Sequence, residues 1–416
     1  MKNGKKRLLI VVMLMLTMIS MSACATFDSF KNTFLTEDKG NSVDNVIRIG
    51  VFEPETGRYS DKGISEIKGI ELANSIYHSV NGYRVELIKV DTQSSTAAAE
   101  TAIQGLIEMK PLAIIGSAGE ATTLIASSYV DKAKIPAITP SATNPLITQN
   151  YRYYFRASMT SSQMGEGIAD FAYHYRNSRH IGIITTANDT AATALIDGLN
   201  DKIKSYVKKD DLEDNPVVMN TASEFGDKDI SAIIKMIEKK KVDTLVAPIG
   251  TETMDAFFTA IEKANLTNIE FIGTKAWGNE DFISMMKKHP GIRIAFPYPS
   301  VLGNTAEITK EAERFEIEYA NKYGSDDIPT ENAALGYDSY LLLINAIHNA
   351  KDLNGSDVRE ALLQLKDVKC ATGSFTFDEK GNTVRGVNIS TIKGDKVESI
   401  YVTHTTQAED IEGLEQ

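Results

Sequence analysis

Cysteine is nearly absent: the 416 residues hold two, Cys24 and Cys370. Two such residues build no disulfide framework, so stability must come from apolar cores. The six histidines, His78, His174, His180, His289, His348 and His404, are scattered and form no H-E-x-x-H or comparable metal spacing. This excludes the usual catalytic zinc patterns, and no cofactor is implied. The chain also lacks a G-x-S-x-G nucleophile elbow, a Walker loop and a G-x-G-x-x-G turn. "GSAGE" at Gly116 to Glu120 is glycine-rich but has neither the lysine nor the third glycine of a phosphate loop. Basic charge is in deficit, with 44 Lys and Arg against 56 Asp and Glu and a net charge of −12. That balance argues against nucleic acid and against a polybasic membrane patch. Beyond the first 24 residues no apolar run is long enough to cross a bilayer.

The N-terminus, "MKNGKKRLLIVVMLMLTMISMSAC", places Lys2, Lys5, Lys6 and Arg7 before an apolar run from Leu8 to Met21, then small residues and a cysteine. This is the pattern of an export signal, too short for a spanning helix of about 20 residues. Ser22-Ala23-Cys24 resembles the lipobox of bacterial lipoproteins, with Met21 in place of the usual Leu. The resemblance implies cleavage after residue 23, acylation of Cys24 by chains such as palmitate, and a body held outside the cytoplasmic membrane. Residues 24–45 are polar and aperiodic and read as a tether; residues 404–416 read as an acidic tail.

From Val46 short apolar runs alternate with segments of helical period. "VIRIGVF" precedes Ile64 to His78, "RVELIKV" precedes Thr96 to Met109, and "PLAIIG" precedes Glu120 to Lys132. A second set follows: "IGIITT" before Thr190 to Val207, "VDTLVAPIG" before Glu252 to Ala264, and "IEFIGT" before Glu280 to Lys288. This is the βαβ rhythm of parallel sheets, and it fits two α/β lobes better than one long sheet. Helices are expected from Ile308 to Tyr323 and from Asn332 to Ala350. The turns Glu379-Lys-Gly-Asn and Lys393-Gly-Asp-Lys then predict hairpins.

In open α/β sheets ligands sit outside the carboxyl ends of the strands. Two loops should share that edge in the first lobe, "GSAGEATT" and "TPSATNP", the latter inside a proline-rich stretch, Pro136 to Pro145. Ser141 and Thr143 either meet a ligand there or only satisfy turn backbone groups.

In order and spacing, "IRIGVFEPETGRYSDKGISEIKGIELA", "VELIKVDTQSSTAAAETAIQGLI", "LAIIGSAGEATTLIASSYVDKAKIPAITPSATNPLIT", "YYFRASMTSSQMGEGIADF", "GDKDISAIIKMIEKKKVDTLVAP", "ALGYDSYLLLINAI" and "GSFTFDEKGN" resemble periplasmic binding proteins of the leucine/isoleucine/valine type. The resemblance runs from about Ile47 to Val402. It implies a type I periplasmic-binding-protein fold, α/β, with two doubly wound lobes joined by three crossovers and a ligand closed between them. Lobe one would take residues 46–161 and 298–372, and lobe two residues 162–297 and 373–403. The implied function is an extracytoplasmic solute-binding lipoprotein of an ABC importer. It would capture a small polar, amino-acid-like solute by lobe closure, with permease and ATPase as partners and no chemistry of its own. The alternative is an extracytoplasmic receptor domain signalling to a membrane partner.

The resemblance places the grip on a ligand α-carboxylate at Thr143, with Ser141 beside it. The family's serine falls on Glu120, and its acidic ammonium receptor falls on Lys275, so both charges depart from the pattern. Three readings stay open: the two residues clamp a ligand of opposite polarity, they pair with each other across the cleft, or they are solvated surface charges. Family pocket aromatics map onto Thr190 and Gly250. Trp277, two residues beyond Lys275, lines the cleft or sits in the core. Tyr59 and Lys62 lie in the loop that covers the ligand in the family, and Asn332 maps near a pocket aromatic. Tyr337 and Cys370 read as structural.

Overall fold

The computed structural model describes residues 45–185, 189–206, 217–220, 227–249, 253–298 and 309–403. The leader, Cys24, nearly all of the tether, Gly250 and the acidic tail lie outside the described residues.

In chain order the first lobe comprises β1 (Val46–Glu53), α1 (Ser60–Ile76), β2 (Ser79–Val80), β3 (Tyr83–Asp91), α2 (Thr96–Glu108), β4 (Ala113–Gly116), α3 (Glu120–Ala133), β5 (Ala137–Thr139), the short α4 (Leu146–Gln149) and β6 (Tyr154–Arg156). Its sheet has the order β2-β3-β1-β4-β5-β6. All neighbours run parallel except the β2–β3 pair. Strand β1 is buried on both faces through Ile49, Val51 and Phe52, which is why a parallel strand reads as a near-continuous apolar run. Helix α1 begins four residues earlier than its periodicity predicts, at Ser60.

The second lobe contains α5 (Ser161–Asp170), β7 (Ile181–Thr185), α6 (Thr190–Tyr206), β8 (Val217–Asn220), α7 (Asp227–Lys240), β9 (Thr244–Val246), α8 (Met254–Lys263), β10 (Glu270–Ile272), α9 (Glu280–Met286) and β11 (Arg293–Pro297). The chain then returns to the first lobe with α10 (Lys310–Tyr323), α11 (Glu331–Asn349) and α12 (Gly355–Gln364), followed by the small hairpin β12 (Val368–Cys370) and β13 (Gly373–Phe375). It ends with β14 (Asn388–Lys393) and β15 (Lys396–Val402), antiparallel strands on the edge of the second sheet, whose order is β15-β14-β11-β10-β9-β7-β8. Their turn is the expected Lys393-Gly-Asp-Lys, with Gly394 at φ +62°. The last crossover comes later than residue 373. Phe375 and Phe377 are buried in the first lobe's core, and Val387 is the first residue of this stretch in the second lobe's core.

Helix α11 is the centre of the first lobe. Thr330 caps it, its hydroxyl accepting from Ala333 N–H at 3.2 Å, and the helix is buried continuously from Ala333 to Ile344. It lies backbone to backbone on α1. A Cβ on Gly69 would come 1.8 Å from the Ala333 carbonyl oxygen, and one on Gly336 would come 2.3 Å from the Glu66 carbonyl oxygen. The second lobe repeats the device between α5 and α6, where Gly165 meets the Leu195 carbonyl at 1.9 Å and Gly198 meets that of Ser162 at 2.2 Å by the same measure.

The third crossover is tied to α11 by a buried acid. Asp338 accepts from the amides of Ala371 and Thr372 at 2.7 and 2.9 Å and from the Thr372 hydroxyl at 2.6 Å. Arg385 in turn donates to the Thr372 hydroxyl and carbonyl at 2.9 and 2.8 Å. Tyr337 is buried and donates to Glu311. Cys370 is buried, its thiol pushed well up by burial and by the charge of Asp338, the state of an inert core thiol. Because backbone, not a flexible side chain, stands against Gly69, Gly69→Ala should destabilise the protein by about 3 kcal/mol or more. Urea unfolding of the variant checks this; an unchanged midpoint would mean that the α1–α11 contact is loose.

Candidate ligand cleft

The carboxyl edge of the first sheet carries the loops singled out in the sequence. Strand β4 ends at Gly116, and residues 117–119 lead into α3. Ser117 is fully buried, and its carbonyl accepts from the hydroxyls of Thr123 and Thr139, both at 2.9 Å. Strand β5 ends at Thr139 and opens into the loop 140–145.

Two charges of opposite sign brace this loop. From beneath, fully buried Arg156 donates to the carbonyls of Ala142 and Asn144 at 3.4 and 2.6 Å. Burial brings its guanidinium down to about 10, opposed by the charges of Glu120 and Asp378. From the side, Glu120 at the start of α3 accepts through Oε1 from the Thr143 N–H and hydroxyl at 2.7 and 3.1 Å, and through Oε2 from the Asn144 N–H at 2.9 Å. Glu120 therefore does not pair with Lys275. It holds the polar end of the loop within its own lobe.

Ser141 turns the other way, donating to Glu66 of α1. Glu66 and Glu53, the last residue of β1, are both fully buried, and each acts on the pKa of the other. Burial and the neighbouring charge of Glu66 push Glu53 well above its ordinary value, while its other oxygen accepts from Ala118 N–H at 2.7 Å. Glu66 is raised by burial from 4.5 to about 7, moderated by Glu53, Ser141 and the charges of Lys62 and Lys275. Among the described residues, neither Glu53 Oε1 nor Glu66 Oε2 has a hydrogen-bond donor. The signal for this pair was a carboxylate closing an otherwise apolar strand and another three residues before a helix glycine; sequence reasoning passed over both.

Across the cleft, Lys275 stands in a short 3₁₀ turn, Lys275–Gly278, after β10. Its ammonium lies 3.6 Å from Glu331 at the start of α11, so its partner is not Glu120. With Ser158, Tyr298, Leu335, Thr372 and Arg385 the pair lines a small cavity between the lobes. Asn332 follows Glu331 on α11 and is half-buried, and Lys62 is exposed on α1. Tyr59 caps the loop region. Its N–H reaches Ser94 Oγ at 2.9 Å, and a Cβ on Gly119 would lie 3.7 Å from its ring.

Trp277 does not line the cleft. It is fully buried, stacked on Phe282 with centroids 4.8 Å apart and edge-on to Phe258 at 6.1 Å. Thr190 heads α6 at the edge of the second sheet, but its side chain, like Gly250, is outside the described residues. Among the described residues no group of three His, Cys, Asp or Glu is placed to hold a metal ion, and no helix is long and apolar enough to cross a membrane.

The raised pKa of Glu66 fixes a sign. Between pH about 4.5 and about 7 the folded protein keeps a proton that the unfolded chain has released, so rising pH favours unfolding. Glu66 should contribute at most about 1.4 kcal/mol per pH unit to the fall in stability through this window, and Glu66→Gln should lower the slope by that share while the raised Glu53 keeps its own. Urea titrations at stepped pH test it; parallel curves for both proteins would assign the slope to other groups.

The comparisons agree with this geometry. The model of the family described as periplasmic binding protein matches residues 46–396. An amino acid binding protein of Pseudomonas aeruginosa is 26% identical over 194 residues, 45% of this chain, and the match spans half of that relative's length. The Leu/Ile/Val-binding protein BraC3 of Rhizobium johnstonii is 23% identical over 81% of this chain and 88% of its own. Among solved structures, the branched-chain amino acid transporter substrate-binding protein LivJ of Streptococcus pneumoniae, in complex with isoleucine, is 26% identical with a TM-score of 0.62, covering 85% of this chain and 99% of its own. With two α/β lobes, three crossovers and a polar cleft between their carboxyl edges, the chain belongs to the periplasmic binding protein family.

Proposed function

We propose that the protein is the extracytoplasmic solute-binding component of an ABC importer, holding a small polar, amino-acid-like solute between its lobes. The observation that carries this reading is the meeting of polar strand-end loops from both sheets, with Lys275 of one lobe reaching Glu331 of the other at 3.6 Å. A solute that contacts both loops favours the closed form by its extra affinity for it, which is how closure reports occupancy to a permease and its ATPase. The relatives' names, amino acid and Leu/Ile/Val binding, support the solute class. The family's fold carries the reading toward binding of a solute.

A solute that binds only the folded protein raises its melting temperature. In a thermal-shift screen over amino acids, amino-acid amides, peptides and nucleobases, at least one is expected to raise Tm by several degrees at millimolar concentration. If none moved it, the solute-binding reading would be abandoned.

The lipobox-like Ser22-Ala23-Cys24 supports a lipid anchor at Cys24 holding the body at the membrane surface. Expressed in bacteria, the natural chain should partition with membranes and Cys24→Ala with the soluble fraction. Membrane retention of Cys24→Ala would assign the attachment to something else.

A further inference from the structure

The loop 140–145 offers three donors on one side: the amides of Thr143 and Asn144 and the Thr143 hydroxyl. All three point at a single carboxylate, and that carboxylate belongs to the chain. Glu120 Oε1 takes two of them at 2.7 and 3.1 Å, and Oε2 takes the third at 2.9 Å. Converging amides and a hydroxyl are the recognition chemistry of an anion. Behind the loop Arg156 is fully buried and spends its two terminal nitrogens on the Ala142 and Asn144 carbonyls. A second carboxylate brought to this place would find these three donors taken and would meet the Glu120 charge directly.

An ionised carboxylate has about four acceptor positions on its two oxygens. Three are used, and the one that remains is on Oε2. Next along the same edge, Ser141 spends its proton on Glu66, leaving its oxygen as an acceptor. This edge of the first lobe therefore offers acceptors to a solute.

We propose that Glu120 is a specificity-determining residue: its side chain holds the place of a ligand carboxylate on the Thr143 and Asn144 amides, so the solute presents an N–H donor, not a carboxylate, to the first lobe. The inference rests on the solute-binding reading of the cleft and names its chemical class at this end, an ammonium or amide N–H. The carboxylate in residence acts against carboxylate-first solutes by repulsion and by removing their donors, the negative half of specificity.

Acetate tests the loop without knowledge of the solute. Glu120→Ala leaves the three donors open, so acetate at about 50 mM should raise its Tm by about 2 °C or more over equal sodium chloride, while the natural protein does not respond. If Glu120→Ala is too unstable to purify, Glu120→Ser, whose hydroxyl accepts from one amide, enters the same comparison. Acetate acting alike on natural and variant protein, or on neither, overturns the proposal. In the screen, a solute that the natural protein binds should carry an ammonium or amide N–H; its analogue with that group replaced by methyl should bind at least about tenfold more weakly, and Glu120→Ser should narrow that gap. An analogue that keeps its affinity without the N–H group also overturns it. Failure of the solute-binding reading looks different: no solute moves the natural protein, while acetate still rescues Glu120→Ala.

Discussion

The site depends on how closely two helices of the first lobe approach. Helices α1 and α11 touch through backbone, Gly69 on the Ala333 carbonyl and Gly336 on the Glu66 carbonyl, a separation that no larger residue permits. This contact fixes the depth of α1 against the sheet and so drives Glu66 down beside Glu53, where Ser141 finds it. It also sets the start of α11, and with it Glu331, at the mouth of the cleft opposite Lys275. One apposition of main chains thus positions a buried acid pair and one half of the link between lobes.

A carboxyl pair in a core is expensive unless it shares protons and borrows donors. Here the donors come from the strand-end loops: the Ala118 amide for Glu53 and the Ser141 hydroxyl for Glu66. The polar interior of the lobe and the loop that faces the cleft are therefore one hydrogen-bonded unit. Arg156 continues it, reaching the same loop from beneath and standing within the field of Glu120 and Asp378. Such a unit keeps the 140–145 backbone in a single shape, which a recognition loop needs if closure rather than loop ordering is to report the solute.

Much of this was legible in the sequence because parallel strands covered on both faces are written as near-continuous apolar runs, and "VIRIGVF", "PLAIIG" and "IEFIGT" are such runs. Strand-end loops could be assigned to one edge from topology alone, and Glu120 and Thr143 meet there, while Ser141 turns to Glu66. Partners were harder. Pairing of Glu120 with Lys275 was one of three open readings, but each has a nearer partner whose position follows from a loop turn or a helix start, not from spacing along the chain. Trp277 shows the same limit. Its loop faces the cleft, yet the ring turns into the core over Gly273, where any Cβ would fall 2.0 Å from the indole; the glycine four residues earlier was the signal. Glu53 and Glu66, 13 residues apart, look like an ordinary charge after a strand and an ordinary charge on a helix until the sheet places one beneath the other.

The two departures in charge have different consequences because they are held differently. The Lys275–Glu331 pair is one contact at 3.6 Å between side chains 38% and 30% exposed, a class of ion pair contributing about 0 to 1 kcal/mol. A solute can exchange with it on closure at small cost. Glu120 is held by three donors of a loop whose other face is locked by a buried guanidinium, and removing it would strand those donors. In the proposed reading the second lobe therefore offers a contact that adapts to the solute, and the first offers one that the solute must match.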